Sequence, residues 1–535
     1  MPRREIAPGR SCLECRRRKI KCDRSHPCSY CTRVRVNCRY PSPRQPADDN
    51  ALARVASLES KLLVVEKRLS QIVEPMDQGN ERGERARTEF LTDRRATGPS
   101  QSPSVGLRSS SLLKPQAAID LNSVRPTLTL MVLLWQKYLE VVDPLLKIFH
   151  TPTVQKLVVK AVCDRDKLDL GSQCLLFAIY YAAVIALSPT VCRIELGGER
   201  CVLLEQYRTG VEHLLSRLDL LHSTDMTVLQ AFAIYLITGR CDPNGPDSYS
   251  LVGVGVGMAL KMGLNQDGAT LGVPPFEGEM RRRLWWQLLI LDVRVAEDRQ
   301  SEPCVLESSF NTRLPSNIGD TDLQPEMSRL PVCGESRTEM LFSLMRFETS
   351  YFARQMVFSD GFGAENAYLT LSETRKCEAI GLFQERIENQ YLSHCDERVP
   401  LDKVTIWSIR LILAKLRLMV LDRKAMGDGT PVGRVTARAE WIKLLQSAEE
   451  LRAYEDGKQW LWLFQTYIEW DALTQLLIHL RADPVGGEND QGWDTASNIY
   501  SYWEDNESVQ RDRRWQRIEE LRQDVLAARG ENSTP

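Results

Sequence analysis

At 535 residues and 43% hydrophobic content, the chain is long enough for two or more folded units and a large buried core. Its net charge of −2 hides an uneven distribution, because residues 1 to 46 hold thirteen Arg and Lys against Glu5, Glu14 and Asp23 and so leave the remainder acidic. A basic head on an acidic body suits a head that meets nucleic acid, and the longest apolar run, Leu175 to Leu187, is too short for an ordinary membrane span.

The head opens with MPRREIAPG, which has no apolar core of a signal peptide, and then places cysteines at Cys12, Cys15, Cys22, Cys28, Cys31 and Cys38. The same unit occurs twice: two residues inside a CxxC, then six before a third cysteine. Tetrahedral zinc takes four ligands, so two zinc ions need eight ligand positions, and six thiolates fill eight only if two of them bridge. The spacing therefore predicts one six-cysteine cluster holding two zinc ions, with a short helix in each six-residue spacer. Pro27 suits a fixed turn between the halves.

Between Cys15 and Cys22 run Arg16, Arg17, Arg18, Lys19, Ile20 and Lys21, a basic helical turn held by metal at both ends. Such a helix can offer cations to base edges in a major groove and to phosphates. With Cys38, Arg39 and Tyr40 closing the pattern, the head resembles the fungal Zn2Cys6 binuclear zinc-cluster transcription factors. That resemblance implies a nuclear, sequence-specific regulator of RNA polymerase II promoters that binds double-stranded DNA at CGG-like half-sites. It further implies base contacts from Arg18 and Lys19 and phosphate contacts from Arg16 and Lys21.

Pro41, Pro43 and Pro46 follow as a stiff spacer that ends the unit at residue 46. Residues 47 to 74 then carry an apolar heptad, with Val55, Leu62 and Leu69 at a and Leu58, Val65 and Ile72 at d, which predicts a short parallel coiled-coil homodimer. Residues 75 to 118 are rich in Ser, Gly, Pro and Arg, have no periodicity, and read as a disordered linker.

From residue 119 to about 530, helical periodicity dominates, predicting a large all-α regulatory domain and a mainly α protein overall. LWQKYLEVVDPLLKIFHTPTV, GMALKMGLNQDG, EMRRRLWWQLLILD and LPSNIGDTDL resemble, in order, the fungal-specific transcription factor domain. Asn265 and Gln266 stand where that family more often has His and Arg. The run Arg281 to Arg283 beside Trp285 and Trp286 reads as a structural helix whose arginines point outward or pair with acids. Gly253, Gly255 and Gly257 read as close helix packing, and the nine remaining cysteines as reduced, mostly buried thiols.

WLWLFQTYIEWDALTQLLIHL reads as one helix. The stretch from FQTYIEWDA through GGENDQGWDTASNIYSYWEDNE resembles the tail of zinc-cluster regulators of fungal secondary metabolism, although Asp471 departs from the usual Trp-His-Ala. The acids and aromatics from Trp493 to Glu507 suit either a packed helix or a contact with the transcription machinery. His26, His150, His213, His222, His394 and His479 form no HExxH or triad signature, so no catalytic residues are expected. The alternatives are control of nutrient or stress genes and, from another class, a ligand-binding or enzymatic helical body that carries a zinc module.

Overall fold

The computed structural model describes Cys12, Cys15, most of residues 21–38, and most of residues 120–530, with breaks at 165–166, 300, 332–336, 358–371, 429–430, 466–468 and 511. The heptad of Val55, Leu58, Leu62, Val65, Leu69 and Ile72 and the linker after it lie outside the described residues, as do Arg16, Arg18 and Lys19. The chain divides into two compact units, Met1–Leu107 and Arg108–Pro535. Helices and 3-10 turns make up the regular structure of the described residues, which contain no strand.

The core of the first unit is its six cysteines, joined by Tyr30 and Val36. It contains the short helix α1, Ser29–Val34.

In the second unit the chain is organised around α4, Leu170–Ala186, buried nearly all round from Cys174 to Ile185. A helix that is apolar on every face can only be covered on every face. It packs on α2 (Leu128–Val141), α5 (Arg200–Arg217) and α6 (Met226–Gly239), with α3 (Thr151–Cys163) against α2. Asp169 caps α4 by accepting from the Ser172 amide at 2.8 Å. The α4–α5 crossing is so close that a Cβ on Gly210 would sit 2.4 Å from the Phe177 ring. No single described helix is long and apolar enough to cross a membrane; α4 passes that test only together with Pro189–Glu195, bent from it by 120°.

Beyond α7 (Ser248–Lys261) and α8 (Pro275–Arg299), two further cores form. One gathers α9 (Leu341–Val357), α10 (Glu373–Gln390) and part of α11 (Pro400–Asp428); the other gathers α12 (Pro431–Ala453), α13 (Trp470–Ala482), α14 (Gly487–Trp503) and α15 (Arg513–Arg529). Trp493, Ile499, Tyr500 and Trp503 are buried in the second of these, so the acidic-aromatic stretch is a packed helix.

Three expectations are corrected. WLWLFQTYIEWDALTQLLIHL is not one helix: Glu455–Phe464 is a 3-10 helix, and α13 starts afresh at Trp470. The tighter rung lets the Trp460 and Trp462 indoles donate to the carbonyls of Glu140 and Val141 at 3.2 and 2.9 Å, satisfying groups that the end of α2 leaves open. Of the glycine run only Gly255 packs closely, against Leu288 and Phe232, whereas Gly253 and Gly257 face open space. Among the described residues the thiols outside the cluster form no disulfide, but only Cys174 and Cys192 are buried; Cys163, Cys201 and Cys304 are exposed.

The four segments quoted for the regulatory domain meet in one buried chain of charges. Arg283, fully buried, pairs with Asp320 at 2.6 Å and Glu279 at 3.5 Å. Asp320 faces Lys147 at 3.4 Å and accepts from the Thr151 amide at 3.0 Å, and Lys147 pairs with Asp143 at 2.6 Å and Glu339 at 2.7 Å. Arg282 grips Asp267 through two hydrogen bonds of 2.8 and 2.9 Å and also faces Glu279, with Arg313 reaching Asp267 at 3.0 Å. The arginines beside Trp285 and Trp286 are thus internal ties, not a nucleic-acid face. His150 is spent here too, its ring between Thr153 Oγ1 at 2.8 Å and the Asp320 carbonyl at 2.9 Å. Asn265 and Gln266 hold the segment after α8: Asn265 donates to the Ser309 carbonyl, and Asn311 donates to Gln266.

Candidate metal centre and nucleic-acid interface

Each half of the head begins with the same local structure. The Cys15 amide donates to Cys12 Sγ at 3.4 Å and the Cys31 amide donates to Cys28 Sγ at 3.5 Å, so both CxxC loops curl around their first sulfur. Cys28 caps α1 with that bond, and Arg35 closes the helix in a left-handed conformation, its amide donating back to Thr32. A third amide, of Cys28, donates to Cys38 Sγ at 3.3 Å. Amides aimed at sulfur favour the thiolate, the form that binds metal.

The structure brings all six cysteines together, each almost wholly buried. Cys12, Cys15, Cys28 and Cys31 place their sulfurs within 4.8 Å of one another. Cys15 Sγ has Cys12, Cys28 and Cys22 as side-chain neighbours; Cys31 Sγ has Cys28, Cys12 and Cys38. The two sets of four share Cys12 and Cys28. The sulfur separations fit zinc: Cys12–Cys28 is 3.8 Å, Cys12–Cys31 3.7 Å and Cys15–Cys28 3.6 Å, against about 3.8 Å for the edge of a tetrahedron with Zn–S bonds of about 2.3 Å.

Without metal the cluster would be a poor set of thiols. Burial pushes Cys15 and Cys31 well above the ordinary thiol range, while the Cys31 amide brings Cys28 down to about 6. Divalent cations supply what burial removes, which is why a dry six-sulfur core makes sense only as a metal site.

Asp23 is the residue to which sequence reasoning assigned no role. Its carboxylate accepts from the Ser29 amide at 2.9 Å and the Ser29 hydroxyl, and from the Ser25 amide and hydroxyl at 3.2 and 3.0 Å. The Ser29 bonds lead in holding Asp23 down to about 2. It thereby ties the strap after Cys22 to the first turn of α1. The signal available was its place directly after a ligand, followed by two serines at short range. Of the four basic residues expected at DNA, Lys21 is described and is solvent-exposed.

Residues 10–47 match the family model of the fungal Zn(2)-Cys(6) binuclear cluster domain, and residues 135–347 match that of the fungal specific transcription factor domain. The chain is a Zn2Cys6 transcription factor. As such it is a DNA-binding regulator of transcription whose cluster domain binds two zinc ions. It is 27% identical to the transcriptional regulator AacuB of Aspergillus aculeatus over 94% of this chain and 78% of that protein. It is 28% identical to the aurofusarin cluster transcription factor aurR2 of Gibberella zeae over 94% and 77%. The pyriculol/pyriculariol biosynthesis cluster transcription factor 1 of Pyricularia oryzae is 31% identical over 72% of this chain and 53% of its own length. Among solved structures the K. lactis CBF3 core superposes with a TM-score of 0.51 at 10% identity, over 79% of this chain and 90% of that one, a likeness of fold.

Proposed function

We propose that this regulator acts in the nucleus as a homodimer on promoters of a secondary-metabolite gene cluster, reading CGG-like half-sites through its zinc head. The observation that carries the reading is the pair of four-sulfur groups sharing Cys12 and Cys28. One zinc would be held by Cys12, Cys15, Cys22 and Cys28 and the other by Cys12, Cys28, Cys31 and Cys38. The pathway class rests on the relatives, two of which are named for biosynthetic clusters.

The basic turn between Cys15 and Cys22 enters the major groove. Arg18 and Lys19 meet guanine edges, and Arg16 and Lys21 hold phosphates. Lys19→Ala should cost about 1 to 3 kcal/mol at the selected site and flatten discrimination, whereas Arg16→Ala should weaken all sequences alike. Binding-site selection from random DNA, followed by titration of wild type and both variants on the selected and a scrambled site, checks this. An unchanged ratio of specific to non-specific affinity in Lys19→Ala would remove Lys19 from base readout.

The dimer forms through residues 47 to 74 as a parallel coiled coil. In that register Arg54 and Lys61 at g face Glu59 and Glu66 at e of the partner, whereas an antiparallel pair would set like charges together. Replacing both Leu58 and Leu62 with Asp should leave zinc content intact and abolish the dimer in sedimentation. It should lower affinity for a paired site far more than for a single half-site. A double variant that still sediments as a dimer would move dimerisation to the helical unit.

A further inference from the structure

The repeat that builds the cluster also carries positive charge into its second half. Arg17 and Lys19 stand two and four residues after Cys15, and Arg33 and Arg35 stand two and four residues after Cys31. An apolar residue follows in each half, Ile20 in the first and Val36 in the second, where Val36 packs on the cysteines. The second half is therefore a structural copy that has kept two cations in register, on the last turn of α1 and its cap.

Neither cation is used inside the head. Arg33 and Arg35 are both exposed, and no described residue pairs with either guanidinium or hydrogen-bonds to it. Asp23, the one acid among the described residues of the head, is taken up by Ser25 and Ser29. The backbone of Arg35 adds a second observation. It is left-handed, with φ 53° and ψ 40°, its amide donating to the Thr32 carbonyl at 3.3 Å while the Val36 amide donates to the Cys31 carbonyl at 3.1 Å. That pair of bonds closes helices most easily on glycine, which has no Cβ to strain. An arginine held there costs strain that no internal bond of its side chain offsets, so its use lies outside the chain.

The cluster keeps α1 beside the first half, since Cys31 Sγ lies 3.7 Å from Cys12 Sγ. A basic turn seated in a major groove about 12 Å wide has a phosphate backbone along either side. We infer that Arg33 and Arg35 are a second DNA-binding element, gripping phosphates of the backbone that borders the groove entered by the basic turn. They touch no base and fix the register of the head on the duplex. The inference rests on the proposed entry of that turn into the groove and assigns DNA contact to the half of the head that lacks it.

Titrating the full chain on its selected site across a range of salt tests the clamp. Each phosphate contact contributes about 0.9 to the slope of log affinity against log salt, so the double variant Arg33→Gln, Arg35→Gly should lose about 1.8 of that slope. It should weaken selected and scrambled sites by the same factor, roughly tenfold. Glycine suits the left-handed cap, so native mass spectrometry should still find two zincs in this variant. Changing both arginines to lysine keeps the charges and should keep the slope. In ethylation interference, phosphates whose modification blocks the wild type should stop mattering to the double variant. An unchanged slope with two zincs bound, a loss confined to the selected site, or the same interference pattern in both proteins would each overturn the clamp and leave base reading by the first half standing. A wild type that selects no site would overturn the DNA reading itself.

Discussion

Cys28→Ser should empty the head of metal, whereas Cys38→Ser should leave it partly loaded. Cys28 belongs to both four-sulfur groups, lies 3.8 Å from Cys12 and 3.6 Å from Cys15, and caps α1. With Cys28 shared as proposed, losing it would strip one ligand from each zinc and loosen the helix that it caps. Cys38 belongs to one group, so its loss opens one metal site to water and leaves the other four-sulfur set whole. Structural zinc contributes roughly 10 to 16 kcal/mol of binding that is also folding free energy, so this head has little else to hold it together. Native mass spectrometry should find two zincs in wild type, none stably held in Cys28→Ser and an intermediate content in Cys38→Ser. Selected-site DNA binding by Cys28→Ser should fall to the non-specific level. Removing metal from wild type with a chelator should unfold the head in the same way. The core of the helical unit contains none of these cysteines, so its unfolding transition should survive. Two zincs retained in Cys28→Ser would show that a different pair bridges.

The metal site was legible because metal chemistry imposes spacing on the chain: two CxxC units and their third ligands are a local pattern. Which two cysteines are shared was not legible, since the repeat makes the halves equivalent in sequence. That choice depends on how one half folds over the other, and on amide bonds such as Cys28 to Cys38 that no spacing rule encodes. The same division holds in the helical unit. The run from Leu175 to Leu187 announces a buried helix by itself, and it is the hub. The glycine run misled because equal spacing in sequence places residues on different helix faces, so only Gly255 meets a neighbour. The 3-10 turn at Glu455–Phe464 could not be foreseen, because its cause lies more than three hundred residues earlier, at the open carbonyls of Glu140 and Val141. The charged chain has the same character: Lys147, Arg283 and Asp320 come from three separate segments, and only the fold makes them partners.

Arg283→Met should destabilise the helical unit by about 3 to 5 kcal/mol, the usual consequence of removing one partner from a buried ion pair. The methionine fills much of the space but leaves Asp320 and Glu279 facing each other across a dry core with their guanidinium gone. The pH dependence separates this charge effect from a packing effect. In the wild type, burial works to raise the Asp320 carboxyl, but Arg283 and then Lys147 outweigh it and hold the group at about 2, below the ordinary 3.8. A carboxyl depressed in the folded state contributes stability that is present above its unfolded value and is lost as pH falls from about 4 through 2. Without Arg283 the balance tips toward burial, the Asp320 carboxyl rises, and its protonation in the folded state relieves the unpaired charge. The gap between wild type and variant should therefore be widest near neutral pH and should narrow on acidification toward pH 4. Denaturant unfolding of both proteins across that range measures it. Lys147 keeps Asp143 and Glu339 as closer partners at 2.6 and 2.7 Å, so a second change, Asp320→Asn on the Arg283→Met background, should recover part of the loss. A loss that is the same at every pH, or a double variant less stable than Arg283→Met, would assign the cost to packing around residue 283 instead of to the charges it ties.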